Sequence, residues 1–254
     1  MENNWKPLWA NRCADAAILR GGDPEKIFME LKRSSGFDVV KDQLTYQSFV
    51  DWYREMKRKL SCRLPNGKAI QSVFEVGCGS GANLYLFEKD GMNCGGIDYF
   101  PQMLESARQV LCASDIHCAD ASELPTGPVY DTLISVSVFG YFDDWEYAGT
   151  VLEKMCQKAR YSIGLLDIAD IEQREAYLNC RRQSIHDYEK RYEGLPRLFF
   201  SKEFITDFAR AHDMEVEICP VRLQNYWNNQ FYFDCYLYKN FVLIGKSGHT
   251  RFCD

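Results

Sequence analysis

The chain has 254 residues, with 30 lysines and arginines against 36 aspartates and glutamates, a formal net charge of −6. That length suits one α/β domain carrying insertions, and the acidic balance argues against nucleic acid as a partner, because such binding is dominated by phosphate neutralisation. No apolar run approaches the roughly eighteen residues that cross a bilayer, and the eleven cysteines lack a CxxC pair, so a cytoplasmic protein with reduced thiols and no membrane contact is expected.

Residues 1–68 read as an N-terminal helical cap. Within it Phe49, Tyr53, Met56 and Leu60 recur at helical spacing, with Arg54, Lys57, Arg58 and Lys59 mostly on the other side. Pro65, Asn66 and Gly67 end that helix. From 69 to 254 strands and helices alternate. A strand near 72–76 runs into a glycine-rich turn and a helix near 82–89 that Gly91 stops. A strand near 94–98, a helix opening at Pro101 and a strand near 115–119 follow. The fourth strand covers 131–138, and a helix near 144–159 places Trp145, Ala148, Leu152, Met155 and Ala159 on one face. A fifth strand covers 161–167. This rhythm predicts a mostly parallel sheet with helices on both faces. It breaks at about 171–200, a stretch rich in charge and aromatics that reads as an insertion. Beyond it Ser201 caps a helix, and 214–220 and 236–246 read as strands six and seven. Between those strands lies 224–233, dense in amides and aromatics.

The turn after the first strand is the most informative stretch. In Glu75-Val-Gly-Cys-Gly-Ser-Gly81 the glycines let the backbone bend sharply and approach a ligand closely. The following helix presents its free N–H groups to the same spot, which suits an anionic group. Gly77, Gly79 and Ala82 also satisfy the dinucleotide fingerprint, with Asp98 near the place of its ribose acid, so an NAD(P)-dependent oxidoreductase is the nearest competitor on the loop alone.

The same residues resemble motif I of the class I S-adenosylmethionine-dependent methyltransferases. The likeness continues through Gly95-Gly-Ile-Asp98, Cys118-Ala-Asp-Ala-Ser-Glu-Leu-Pro125 and Asp131-Thr-Leu-Ile-Ser-Val-Ser-Val138, and covers roughly residues 70–170. It implies a Rossmann-like, seven-stranded, mostly parallel sheet whose last strand is antiparallel. It also implies a cofactor site, with S-adenosylhomocysteine as product. On the family pattern Asp98 takes the ribose hydroxyls, Asp120 the adenine amine and Ala121 the ring through its N–H. Glu75 orders the loop or the cofactor's amino end. Gly77, Cys78, Gly79, Gly81, Tyr99 and Ser135 complete the expected cofactor set. Phe100 departs from the pattern, because it stands where the family often has a capping Ser or Thr.

The resemblance says nothing of the methyl acceptor, for which the acidic balance favours a small molecule. An alcohol acceptor needs a base, and His186, within Ser184-Ile-His-Asp-Tyr188, is the candidate; its plainer reading is a surface histidine on a charged helix. Oxygen is slightly preferred over nitrogen on that ground. Tyr141 either lines the acceptor site or packs. Arg181, Arg182, Lys190, Arg191 and Arg197 either hold an anionic sugar or metabolite or form a solvated face. Trp5, Trp9 and the 226–233 aromatics either close over the acceptor or pack the cap onto the sheet. The four histidines share no ligand spacing with the cysteines, so no metal is expected. A third reading is a protein of this fold that keeps the cofactor without methylating anything.

Overall fold

The computed structural model describes residues 5–37, 44–64, 67–113 and 115–240. Among these residues the α-helices α1 (Trp5–Ala10), α2 (Ala16–Gly21), α3 (Pro24–Lys32) and α4 (Tyr46–Ser61) precede the sheet. The alternating part follows as β1 (Ser72–Val76), α5 (Ala82–Lys89), β2 (Asn93–Asp98), α6 (Pro101–Val110), β3 (Asp115–Cys118), β4 (Tyr130–Val136), α7 (Trp145–Lys158) and β5 (Ala159–Ala169). The insertion holds α8 (Arg174–Ser184) and α9 (Tyr188–Arg191), and the chain ends through α10 (Lys202–Ala211), β6 (Met214–Pro220) and β7 (Tyr232–Lys239).

The strands form one sheet in the order β3-β2-β1-β4-β5-β7-β6. β1 to β5 pair in parallel, and β7 runs antiparallel to both of its neighbours. The strand order switches direction between β1 and β4, which opens a crevice at the carboxyl ends of those strands. The start of β7 falls at Tyr232, earlier than expected, because pairing with the far end of β5 reaches Ala169 opposite Tyr232. The expected residues 241–246 of that strand lie outside the described part.

Local signals explain most helix ends. Asp15, Asp23, Thr45, Asp144 and Ser201 each accept a first-turn N–H, satisfying donors that have no partner inside the helix. α6 opens at Phe100 with no side-chain cap and with Pro101 in its first turn. Two apolar layers sandwich the sheet. Phe49, Met56 and Leu60 of α4 join Leu84 of α5 and Leu104 of α6 on one side; Val151 and Met155 of α7 join Ile205 of α10 on the other. Phe49, Tyr53, Met56 and Leu60 are buried as the stripe requires.

The segment 1–68 divides. α4 lies on the sheet itself, where the Ser162 hydroxyl donates to the Leu60 carbonyl at 2.9 Å and the missing side chain of Gly164 leaves room for Leu60. α1 and the end of α3 reach over the crevice instead, and α2 packs against α3 and α6. Trp145 corrects the apolar face read for α7: it is the helix's first residue and 51% exposed, and its indole N–H donates to the Phe199 carbonyl at 3.0 Å. No helix of the described residues is long and apolar enough to cross a membrane.

Candidate active site

A cavity of about 510 Å³ opens at the carboxyl ends of β1, β2, β4 and β5, walled by α1, the end of α3 and the insertion. Its floor is the glycine loop. Gly77 has φ 74, and a Cβ there would collide with Val138, so both backbone angle and space demand glycine. The Gly79 N–H donates to Asp98 Oδ2 at 2.8 Å and the Phe100 N–H to Asp98 Oδ1 at 2.9 Å. Asp98 thus fixes the loop from the neighbouring strand and keeps lone pairs toward the cavity. Burial raises its carboxyl above the usual range, against the pull of those two N–H groups.

Farther along, Asp120 and Ala121 line the same wall. Asp120 Oδ1 accepts from the Ser122 N–H at 3.0 Å, the Ser122 hydroxyl at 2.7 Å and the Tyr147 hydroxyl. Burial would raise this carboxyl, but the hydroxyl donors outweigh it and hold it low. Tyr99 lies at the mouth under the Lys6 ammonium, 4.3 Å from the ring centre.

At the other end Glu75 is 1% exposed. The Asn83 amide donates to Glu75 Oε1 at 2.6 Å, whereas Glu75 Oε2 is buried with no hydrogen-bond partner. Lys32, the last residue of α3, is 3% exposed and reaches in to donate to Asn83 Oδ1 at 2.8 Å. The rings of Phe28, Phe37, Phe49 and Trp52 surround its ammonium. Burial pushes Lys32 down and Glu75 up, and their mutual attraction opposes both shifts.

Asp167 completes this end. Its Oδ2 accepts from the Ser137 hydroxyl at 2.5 Å and the Tyr226 hydroxyl at 3.1 Å, while Oδ1 is buried without a partner. Ser137 and Asp167 both carry positive φ, 60 and 58, a conformation costly outside glycine that clusters at functional sites.

The roof is aromatic and basic. Arg197 donates to the hydroxyls of Tyr232 and Tyr141, each at 2.8 Å, and Trp5 and Trp9 pack edge-on against Tyr141 at 4.9 and 5.4 Å. The Trp5 indole donates to the Pro196 carbonyl at 2.5 Å, joining α1 to the insertion. Arg181 lies among Tyr177, Tyr188, Tyr192 and Trp227, 4.9–5.7 Å from the ring centres, and its Nε is buried with no hydrogen-bond partner.

The cavity therefore gathers Glu75, Gly77, Cys78, Gly79, Asp98, Tyr99, Asp120, Ala121 and Tyr141. Three sequence candidates do not reach it. His186 is corrected most firmly: its side chain is 93% exposed and pairs with Asp187 at 3.1 Å, because it sits in the polar turn between α8 and α9 on the outside of the roof. Gly81 begins α5 and faces α6, where a Cβ would meet Leu111 at 2.7 Å. Ser135 is buried and donates to the Val76 carbonyl at 2.9 Å, tying β4 to β1. Of the basic cluster, Arg181, Arg191 and Arg197 line the cavity, and Arg182 and Lys190 do not. Tyr226, one of the 226–233 aromatics, lines it too, and Lys32, Asn83, Ser137 and Asp167 are among the lining residues that sequence reasoning missed.

Residues 74–159 match the family model of a methyltransferase domain. No curated protein matches the sequence. The fold is shared with the plantazolicin methyltransferase BpumL in complex with S-adenosylhomocysteine, at TM-score 0.59 and 16% identity over 88% of this chain and 96% of that one. It is shared with magnesium protoporphyrin IX methyltransferase (ChlM) from Synechocystis PCC 6803 with bound S-adenosylhomocysteine, at 0.54 and 15% over 86% and 100%. It is shared also with CalS10, an amino pentose methyltransferase from Micromonospora echinaspora bound to S-adenosylmethionine, at 0.57 and 13% over 77% and 94%. The family match falls on the strands and turns that form the cavity floor, so residues 74–159 carry a methyltransferase domain, in a fold shared with solved methyltransferases that hold S-adenosylmethionine or its demethylated product.

Proposed function

We propose that the cavity binds S-adenosylmethionine along the ends of β1, β2 and β3 and methylates a small acidic molecule held beneath α1 and the insertion. The donor set fits the cofactor. Asp98 has lone pairs left for ribose hydroxyls, Asp120 keeps Oδ2 for the adenine amine and Ala121 supplies an N–H. Gly77, Cys78 and Gly79 allow close approach of the backbone, and Tyr99 shelters the open side. Glu75 Oε2, a buried acceptor with no partner, calls for a cationic donor such as the cofactor's amino group, since leaving it unsatisfied costs about 1–3 kcal/mol or more.

The acidic acceptor rests on Arg181 and Arg197. Both line the cavity, neither forms an ion pair among the described residues, and Arg181 Nε lacks a hydrogen bond. Guanidinium groups aimed into an aromatic-walled space suit a carboxylate or phosphate on a ring. The preference for oxygen over nitrogen loses the support that His186 was to give it.

Saturating S-adenosylhomocysteine should raise the melting temperature, by about 2.7 kcal/mol of stability at a hundred times the dissociation constant, whereas NAD(P) should leave it unchanged. On that saturated protein, 4-hydroxybenzoate should bind more tightly than uncharged phenol in calorimetry, and Arg181→Gln should weaken it about tenfold, the value of one modest charged hydrogen bond. Equal binding of acid and phenol would overturn the acidic-acceptor reading.

A further inference from the structure

Among the described residues no histidine lines the cavity. His117 pairs with Asp115 on β3 and His212 with Glu153 on α7, and His186 is outside the roof. Among the described residues, a group that accepts a proton beside the acceptor is therefore not a histidine.

We propose that Asp167 is the catalytic base, with Oδ1 facing the reacting methyl group and receiving the acceptor's proton. The inference rests on the methyltransferase reading above and goes beyond it by naming the group. Its placement follows from contacts. Gly77 abuts Val138, the next residue after Ser137, and the Ser137 hydroxyl bonds Asp167 Oδ2. Asp167 thus stands next to the glycine loop, at the β5 side of the crevice, where Lys32 interacts electrostatically with both Glu75 and Asp167; β2 and β3, whose ends carry Asp98 and Asp120, lie on the other side of β1. With adenosine over β2 and β3, the sulfonium would lie toward β4 and β5.

Two hydroxyl donors occupy Oδ2, and Asn228 in turn donates to the Tyr226 hydroxyl at 2.9 Å. The carboxylate is held in one orientation, and Oδ1 is the oxygen left to act. Burial raises its proton affinity, opposed by Ser137, Arg197, Tyr226 and Lys32. Asp234 on β7 faces it too, taking the Asp167 N–H at 2.9 Å. In the step itself the acceptor's heteroatom bonds to the methyl carbon and the carbon–sulfur bond breaks with its electron pair left on sulfur. The heteroatom's proton passes to Asp167 Oδ1, to be released to solvent after product leaves.

Sinefungin, in which an amine-bearing carbon replaces the methylated sulfur, reads this placement without any acceptor. Its ammonium would bond Asp167 Oδ1, whereas its amino acid and adenosine ends are those of S-adenosylhomocysteine, so contacts to Glu75 and Asp98 cancel in a comparison. By calorimetry at pH 7.5, the parent should bind sinefungin about tenfold or more tighter than S-adenosylhomocysteine, as one charge-assisted hydrogen bond requires. Asp167→Asn should abolish that preference and keep the affinity for S-adenosylhomocysteine within about threefold. Asparagine tolerates the left-handed backbone at this position, and the parent's own preference is decisive without any variant. A parent that binds both equally, or a variant that keeps the preference, overturns Asp167 while leaving the cofactor site standing. Binding of neither compound overturns both readings.

Discussion

Asp98→Ala should weaken binding of S-adenosylhomocysteine by a hundredfold or more and lower the melting temperature of the ligand-free protein. The ligand effect follows from the two hydrogen bonds that the proposed site gives this carboxylate with the paired ribose hydroxyls. At about 1.5–3 kcal/mol each, their loss exceeds the roughly 2.8 kcal/mol that a hundredfold represents. The stability effect comes from the other side of the same carboxylate. Asp98 receives the Gly79 and Phe100 N–H groups at 2.8 and 2.9 Å, and alanine leaves both donors without that acceptor, at about 1–3 kcal/mol for each that stays buried. The sequence pattern alone suggests a residue that touches only ligand, whose removal spares the fold; the structure corrects that, since the Gly79 and Phe100 N–H groups already use this side chain. Calorimetry with a parallel thermal melt checks both halves. A variant with the parent's affinity would remove Asp98 from the site, and one with the parent's melting temperature would show that the loop holds its shape without it.

What the sequence made legible is what local geometry dictates. The strand, glycine turn and helix around Gly77 and Gly79 are contiguous, and Asp98 and Asp120 fall at strand ends that the alternating rhythm locates. Parallel pairing then brings those ends to one edge. Lys32 gives no such signal: in sequence it is one more cation at a helix end, and its burial depends on α3 crossing the loop. Asp167 reads as an ordinary strand end, although its positive φ and its bond to Ser137 mark it in space. Arg197 and Tyr141 are far apart in the chain and meet only because the insertion folds back over β4. His186 failed for the converse reason. A histidine in a charged, aromatic segment has the right chemistry, but the turn between two short helices points it to solvent. Gly81 matches the motif yet serves packing against α6, so a motif position is not by itself a ligand contact.

The largest stability effect is expected at Lys32. Lys32→Met keeps the side-chain bulk among the four rings but removes the cation whose ammonium bonds Asn83, the residue that holds Glu75. Breaking a buried charge pair from one side costs about 3–5 kcal/mol, because the other charge is left uncompensated. Glu75 can escape that cost by taking a proton, and this fixes the pH dependence. Its carboxyl is already pushed up to about 8 by burial, and without Lys32 it moves higher. A carboxyl raised in the folded state stabilises most below its unfolded value near 4.3, and that contribution is lost as pH rises through the folded value. From pH 5 to pH 7 the carboxyl is protonated in parent and variant alike, so the variant's deficit should be small there and grow above pH 8, where the parent's carboxyl ionises first; about 3–5 kcal/mol would lower the melting temperature by roughly 6–20 °C for a chain of this size. Adding Glu75→Gln to the variant removes the stranded charge, so the double variant should recover much of the loss above pH 8, a non-additivity expected of residues in one network. Melts of parent, single and double variants from pH 5 to pH 9.5 provide the test. A single variant that melts with the parent at pH 9 would mean that Lys32 does not compensate the carboxylates at this end of the cavity.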